Sequence, residues 1–260
     1  MIRIGSAYLL DFSCVLPPNL VEALQNIVAY KRKELKYLME NELMISATNI
    51  RKTFGKRVIL NDLTFHVPRG VIYAICGING IGKSVFLRIL AGFIKQDEGT
   101  VLIHGEEIGK DNEFPKSTGI LIDRPGFMPE KNGFENLHLL GQISGLTSPA
   151  EIKASLEAVG LEADDRRPVR TYSVGMSQRL GLAQAIMEDP ELLMLDEPTS
   201  GLDYETQEAM YQLLRSLQEK GKTILFTSHS PYEVKKLSDK AYRLIDGKLQ
   251  LENSSRYSIS

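Results

Sequence analysis

The sequence predicts an α/β protein built on a parallel sheet. Three apolar runs carry this reading: Val71–Cys76, Leu192–Leu195 and Thr223–Thr227. Short, nearly continuous apolar runs are the pattern of strands buried on both faces. Stretches of helical character separate them, and such alternation makes an α/β core. A glycine-rich loop follows the first run and opens a helix over about Lys83–Ala91.

Composition narrows the class. The 260 residues are 43% hydrophobic and 25% charged, enough for one large domain or one domain with attachments. Lys and Arg total 31 against 33 Asp and Glu, a formal charge of −2, which argues against a nucleic-acid partner. Cys14 and Cys76 are too few and too distant for a disulfide scaffold or a zinc site. No run reaches the ~18 apolar residues of a membrane-spanning helix. The apolar start, Ile4–Leu10, is interrupted by Asp11 and Pro17-Pro18, so no secretory signal is expected. Work at a membrane then has to go through a partner.

Residues 1–43 read as a partly helical extension. Asn19 follows the proline pair as a helix cap, and Leu20, Leu24, Ile27 and Val28 fall on one stripe. Leu35, Leu38 and Met39 resume it after the basic interval Lys31, Arg32, Lys33 and Lys36. Three readings stay open: a solvated amphipathic helix, an arm for a partner or lipid surface, or sequence upstream of a start at Met39 or Met44. From Met44 the pattern changes. Met44–Ile50 and Val58–Val67 alternate apolar and polar residues, and Pro68-Arg69-Gly70 marks a turn. Gly99–Ile108 reads as a hairpin, 124–190 as mostly helical, and Glu205–Lys220 as an amphipathic helix. Ala241–Ile245 with Lys248–Leu251 closes the domain as a second hairpin, and 252–260 is a tail. No repeat is present.

Gly77-Ile78-Asn79-Gly80-Ile81-Gly82-Lys83-Ser84 satisfies the phosphate-loop pattern in its required strand-to-helix context. Glycines let the backbone curl so that N–H groups of residues such as Asn79, Gly80 and Gly82 point at phosphate oxygens. The helix N-terminus adds its dipole. Lys83 supplies charge to the terminal phosphates and Ser84 a hydroxyl for Mg²⁺. Val85 stands where many such loops carry a second hydroxyl. The run Leu192–Leu195 ends in Asp196-Glu197, at the strand end where α/β sheets place ligands. Asp196 is the candidate for Mg²⁺, and Glu197 for polarising an attacking water.

These residues, with those after them, resemble one family. Asp196-Glu197-Pro198-Thr199-Ser200-Gly201-Leu202-Asp203 is similar, almost letter for letter, to the acidic strand end and following loop of ATP-binding cassette (ABC) proteins. Tyr172-Ser173-Val174-Gly175-Met176-Ser177-Gln178-Arg179 resembles their signature, in the form found in ATPase subunits of ABC-2-type exporters. His229 matches the family's switch histidine, and Phe54 the aromatic that stacks on adenine. The likeness covers about Met44–Leu251.

The resemblance implies the cassette fold: a RecA-like α/β core, an antiparallel β subdomain and a helical signature subdomain at about 124–190. It also implies a mechanism. Two cassettes sandwich ATP, and Ser173 and Gly175 of one meet the γ-phosphate held by the other. Asp203 couples the two sites, and His229 helps hold the attacking water. The implied cofactors are ATP and Mg²⁺, and the implied partners are a second cassette and separate permease chains. That places the chain at the cytoplasmic face of the cell membrane.

Two positions depart from the pattern. Asp123 stands where glutamine usually reaches Mg²⁺ and water, as acids do in bacitracin- and lantibiotic-type exporters. A carboxylate can bind Mg²⁺ but, when ionised, donates no hydrogen bond. Val174 replaces the first signature glycine. The leading reading is the ATPase subunit of an exporter of a drug, peptide or lipid-like compound. The alternatives are a soluble single-cassette ATPase and a slow ATP-binding switch.

Overall fold

The computed structural model describes residues 2–4, 7–9, 42–123 and 126–252. The expected helix after Asn19, and the tail beyond Glu252, lie outside the described residues. The chain divides into two units, Met1–Glu42 and Leu43–Ser260. In the first, β1 (Ile2–Ile4) and β2 (Ala7–Leu9) pair antiparallel, with Ile2 opposite Leu9.

The second unit runs β3 (Leu43–Phe54), β4 (Arg57–Pro68), β5 (Ile72–Cys76), α1 (Lys83–Leu90), β6 (Glu98–Ile103) and β7 (Glu106–Glu107). It continues through β8 (Thr118–Leu121), α2 (Gly133–Ser144), α3 (Pro149–Ala158), α4 (Val174–Ile186) and β9 (Leu192–Asp196). It closes with α5 (Tyr204–Glu219), β10 (Thr223–Ser228), α6 (Pro231–Leu237), β11 (Lys240–Ile245) and β12 (Lys248–Leu251). A six-stranded sheet has the order β12-β11-β5-β10-β9-β8 and is parallel except for β12 at its edge. An antiparallel sheet of order β4-β3-β6-β7 stands beside it.

The apolar runs divide two cores by strand alternation. Ile72, Ala74 and Cys76 of β5 face one core, and Tyr73 and Ile75 face the other. Likewise Leu193 and Leu195 of β9 face the first, and Leu192 and Met194 the second. The first core is closed by α2 to α6, the second by α1 and the antiparallel sheet. Burying a side chain such as Phe226 or Phe86 contributes about 1.5–3 kcal/mol each.

The helices start where the sequence supplies caps. Asn132 with Glu135, and Ser148 with Glu151, form capping boxes at α2 and α3. Beside the β1–β2 pair in the first unit, two elements of the second unit add to the sequence reading. One is α6. The other is β8, whose short Thr118-Gly119-Ile120-Leu121 pairs parallel with β9. Gly119 weakens the strand signal, yet it is needed: a Cβ there would lie 1.8 Å from the Ala185 carbonyl oxygen of α4.

Candidate active site

Strand register brings the site together. β10 lies between β5 and β9, with Ser228 opposite Cys76 and Thr227 opposite Asp196. The residues just beyond these ends are Gly77, His229 and Glu197. Three segments distant in sequence therefore meet at the C-terminal edge of the parallel sheet.

The phosphate loop leaves β5 and enters α1. Its Gly82 has φ +122°, and a Cβ there would lie 2.7 Å from Ile59 Cγ2, so only glycine fits. Lys83 is 5% exposed, and its Nζ donates to the Gly77 carbonyl at 2.9 Å and the Ile78 carbonyl at 3.4 Å. The loop is thus wrapped around its own lysine. The same Nζ lies 3.6 Å from Glu197 Oε1.

Glu197 sits at φ +48°, turned out of the strand. Its N–H donates to the carbonyl of Thr227 at 3.2 Å and to the hydroxyl of Thr227 at 3.1 Å. That hydroxyl donates in turn to Asp196 Oδ1. His229 Nδ1 lies 3.1 Å from Glu197 Oε1. From α4, Gln178 Nε2 donates to the carbonyls of Glu197 at 3.1 Å and Pro198 at 3.2 Å. Lys83, Glu197 and His229 are therefore one connected group.

An open cavity of about 510 Å³ lies against this group. Asn79, Gly80, Gly82, Lys83, Ser84, Val85, Asp123, Asp196 and Glu197 line it, with Val174 and Gln178 of α4. Gly77 and His229 line a separate, smaller cavity instead. Phe54 ends β3 with its ring 49% exposed and outside the cavity lining, and Lys52 Nζ lies 5.4 Å from the ring centroid. Ser173 caps α4, its Oγ accepting from Met176 N–H at 3.1 Å, with Gly175 in the helix's first turn. Asp203 caps α5, and hydrogen bonds from Thr206 hold its carboxyl below the usual range. Ser173, Gly175 and Asp203 line neither cavity. Asp123 reaches the cavity, but its carboxylate is engaged by Arg88 at 2.5 Å.

The donor set fits a magnesium nucleotide. Ser84, Asp196 and Asp123 offer hard oxygens, the ligands that Mg²⁺ takes. The cavity has the volume of a small-molecule site. The buried lysine inside a glycine cradle suits a phosphate chain.

Sequence reasoning did not single out Thr227, Gln178, Arg88 or Glu233. Gln178 stands inside the quoted signature, and Thr227 ends an apolar run. Nothing in the sequence marks the Arg88–Asp123 contact, which joins residues 35 apart.

Residues 60–200 match the ABC transporter family. The chain belongs to that family. As an ABC protein it binds and hydrolyses ATP. An uncharacterized ABC transporter ATP-binding protein of Bacillus subtilis, YybJ, is 36% identical over 214 residues, spanning 82% of this chain and 98% of that one. The lantibiotic transport ATP-binding protein SrtF of Streptococcus pyogenes is 35% identical over 80% of this chain and 90% of its own. The bacitracin transport ATP-binding protein BcrA of Enterococcus faecalis is 36% identical over 78% of this chain and 66% of its own. The cassette shares its fold with the ATP-binding cassette MJ0796, solved as a dimer with ADP and Pi. That match has a TM-score of 0.72 and 24% identity, covering 81% of this chain and 98% of that one.

Proposed function

We propose that this cassette is the ATPase subunit of an exporter, pairing with a second cassette and driving a separate permease at the cytoplasmic face of the cell membrane. The meeting of Lys83, Glu197 and His229 at adjacent strand ends is the observation that carries the chemistry. Lys83 and the loop N–H groups bind the terminal phosphates of ATP. Glu197, aimed by His229, orients a water at the γ-phosphorus and takes its proton. The P–O bond to ADP breaks, and ADP and phosphate leave. Ser84 and Asp196, with Asp123, would hold Mg²⁺, which would neutralise phosphate charge when bound. The half-exposed Phe54 ring stacks on adenine.

Pairing follows from what the single chain leaves unused. Ser173 and Gly175, at the N-terminus of α4, are a phosphate-binding pair that lines neither of the chain's own cavities, although Val174 between them reaches the larger one. They serve a second copy's nucleotide, and Asp203 in the adjoining loop couples the two sites. ATP binds the closed pair better than the open one, so it drives closure. Hydrolysis releases it.

Among the described residues, no helix is long and apolar enough to cross a membrane. A third cavity of about 650 Å³ lies between β8, α2 and α4. Ile143 and Leu146 on its rim are 84% and 72% exposed, an apolar seat for a segment of the permease. The relatives named for lantibiotic and bacitracin transport favour export of a peptide, drug or lipid-like cargo. The test is purification of the tagged chain from its own membranes in mild detergent. Recovery of a multi-span permease supports the exporter. Recovery of ribosomal or other soluble partners alone replaces it with a soluble ATPase.

A further inference from the structure

We propose that Glu233 is a positioning residue for ATP hydrolysis, its buried carboxylate clamping the loop after Glu197 to the strand end that carries His229. The inference rests on the ATPase reading of the site. Ser230-Pro231-Tyr232-Glu233 has the spacing of a capping box, in which the glutamate would turn back to the helix start. The structure differs. Ser230 does cap α6, accepting from Glu233 N–H at 3.4 Å, but the Glu233 side chain turns inward and is 4% exposed.

A carboxylate in such a place has to be satisfied. Oε1 accepts from the Thr199 hydroxyl at 2.6 Å, and Oε2 accepts from the Ser228 hydroxyl at 2.5 Å. Ser228 Oγ also accepts from Ser230 N–H at 2.9 Å, and its one proton is donated to the ionised Glu233 carboxylate, which can only accept. Thr199 and Ser228 are themselves 2% and 1% exposed. Burial pushes the Glu233 carboxyl up, and the two hydroxyl bonds oppose it. An apolar side chain would fill this space at less cost.

The two donors show what the carboxylate does. Ser228 directly precedes His229, and Thr199 follows Glu197 by two residues. His229 Nδ1 and Glu197 Oε1 are 3.1 Å apart. One carboxylate therefore ties together the backbones on either side of the catalytic contact. A small shift of either segment changes how His229 aims Glu197, and misplacement of about 1 Å costs on the order of 10²-fold in rate. Nucleotide affinity is set elsewhere, by the loop around Lys83.

The test compares Glu233→Gln, Thr199→Val and Ser228→Ala with the exposed control Glu219→Gln. Glu233→Gln should lower kcat by roughly tenfold or more while the ATP dissociation constant stays within about twofold. Thr199→Val and Ser228→Ala each remove one arm and should lower kcat in the same way. They keep the question open to refutation if Glu233→Gln does not fold. Combining Glu233→Gln with Ser228→Ala should cost no more than the worse single change. The His229 ring resonances of the nucleotide-free chain should move in the three clamp variants and stay in the control. A kcat within twofold of wild type overturns the proposal, as does a parallel fall of kcat and affinity. If the wild-type chain hydrolyses no ATP, the ATPase reading fails, and the His229 resonances alone still decide the clamp: moved supports it, unmoved overturns it.

Discussion

Arg88 grips Asp123 with two nitrogens: Nη2 lies 2.5 Å from Oδ1 and 2.7 Å from Oδ2, and Nε lies 3.1 Å from Oδ2. Arg88 is in the last turn of α1, the helix that begins at the phosphate loop. The acid that stands in place of the usual glutamine is thus tied to the loop's own helix and has its charge matched. Asp123 holds φ +62°, an uncommon conformation for a non-glycine residue. A metal that recruits this carboxylate competes with the guanidinium.

Removing that competitor should strengthen metal binding. The pair is half-exposed, 31% and 56%, so it is worth at most about 1 kcal/mol. Arg88→Gln should lower the Mg²⁺ concentration for half-maximal nucleotide binding by up to about fivefold. Titrating Mg²⁺ at fixed nucleotide measures this. No change means that Asp123 takes no part in the metal site.

In the proposed mechanism Glu197 takes a proton rather than holding the nucleotide. Its carboxylate contacts Lys83 and His229, and its backbone is pinned by Thr227. Glu197→Gln keeps the shape and loses the base. ATP affinity should persist, turnover should vanish, and an ATP-bound dimer should accumulate on size-exclusion chromatography. Turnover within twofold of wild type would falsify the catalytic role.

Lys83 has two functions in the geometry. Its ammonium closes the loop onto the Gly77 and Ile78 carbonyls, and it is the buried positive charge at the cavity. Lys83→Ala removes the charge and loosens the loop. Hydrogen bonds to charged groups contribute about 1.5–3 kcal/mol, so the ATP dissociation constant should rise about tenfold or more. Calorimetry reads this directly, and an unchanged constant contradicts the phosphate-loop assignment.

The legible parts of this molecule were those fixed by local chemistry. Continuous apolar runs announced β5, β9 and β10, because a strand buried on both faces has no polar side to show. The spacing of glycines with Lys83 and Ser84 announced the loop, because backbone N–H groups need that curl. The convergence of Glu197 and His229 depended on strand order, which spacing alone does not carry. β8 was hidden because Gly119 gives up a side chain to let α4 approach. Glu233 was hidden because an acid three residues after a serine already has an ordinary meaning at a helix start. The Arg88–Asp123 pair was hidden because it is a tertiary contact between two residues with other local roles.

Asp97 holds the edge of the antiparallel sheet where the Phe54 strand ends. Lys52 Nζ donates to its Oδ1 at 2.9 Å, and Thr53 donates to its Oδ2 from the backbone at 2.7 Å and from the hydroxyl at 2.6 Å. The lysine bond first, then the threonine bonds, lower its pKa from 3.8 to about 2. A depressed carboxylate contributes stability above its unfolded pKa and loses it as pH falls through the folded one. The contribution is therefore complete above about pH 4 and gone near pH 2. Asp97→Asn should lower the denaturation midpoint at pH 7, and the gap from wild type should close as pH approaches 2. Lys52 also lies over the Phe54 ring, so the variant should weaken ATP binding slightly by freeing that lysine. A denaturation series across this pH range, run beside nucleotide titrations at pH 7, measures both. A gap that stays constant with pH means that the carboxylate's charge is not what holds this edge.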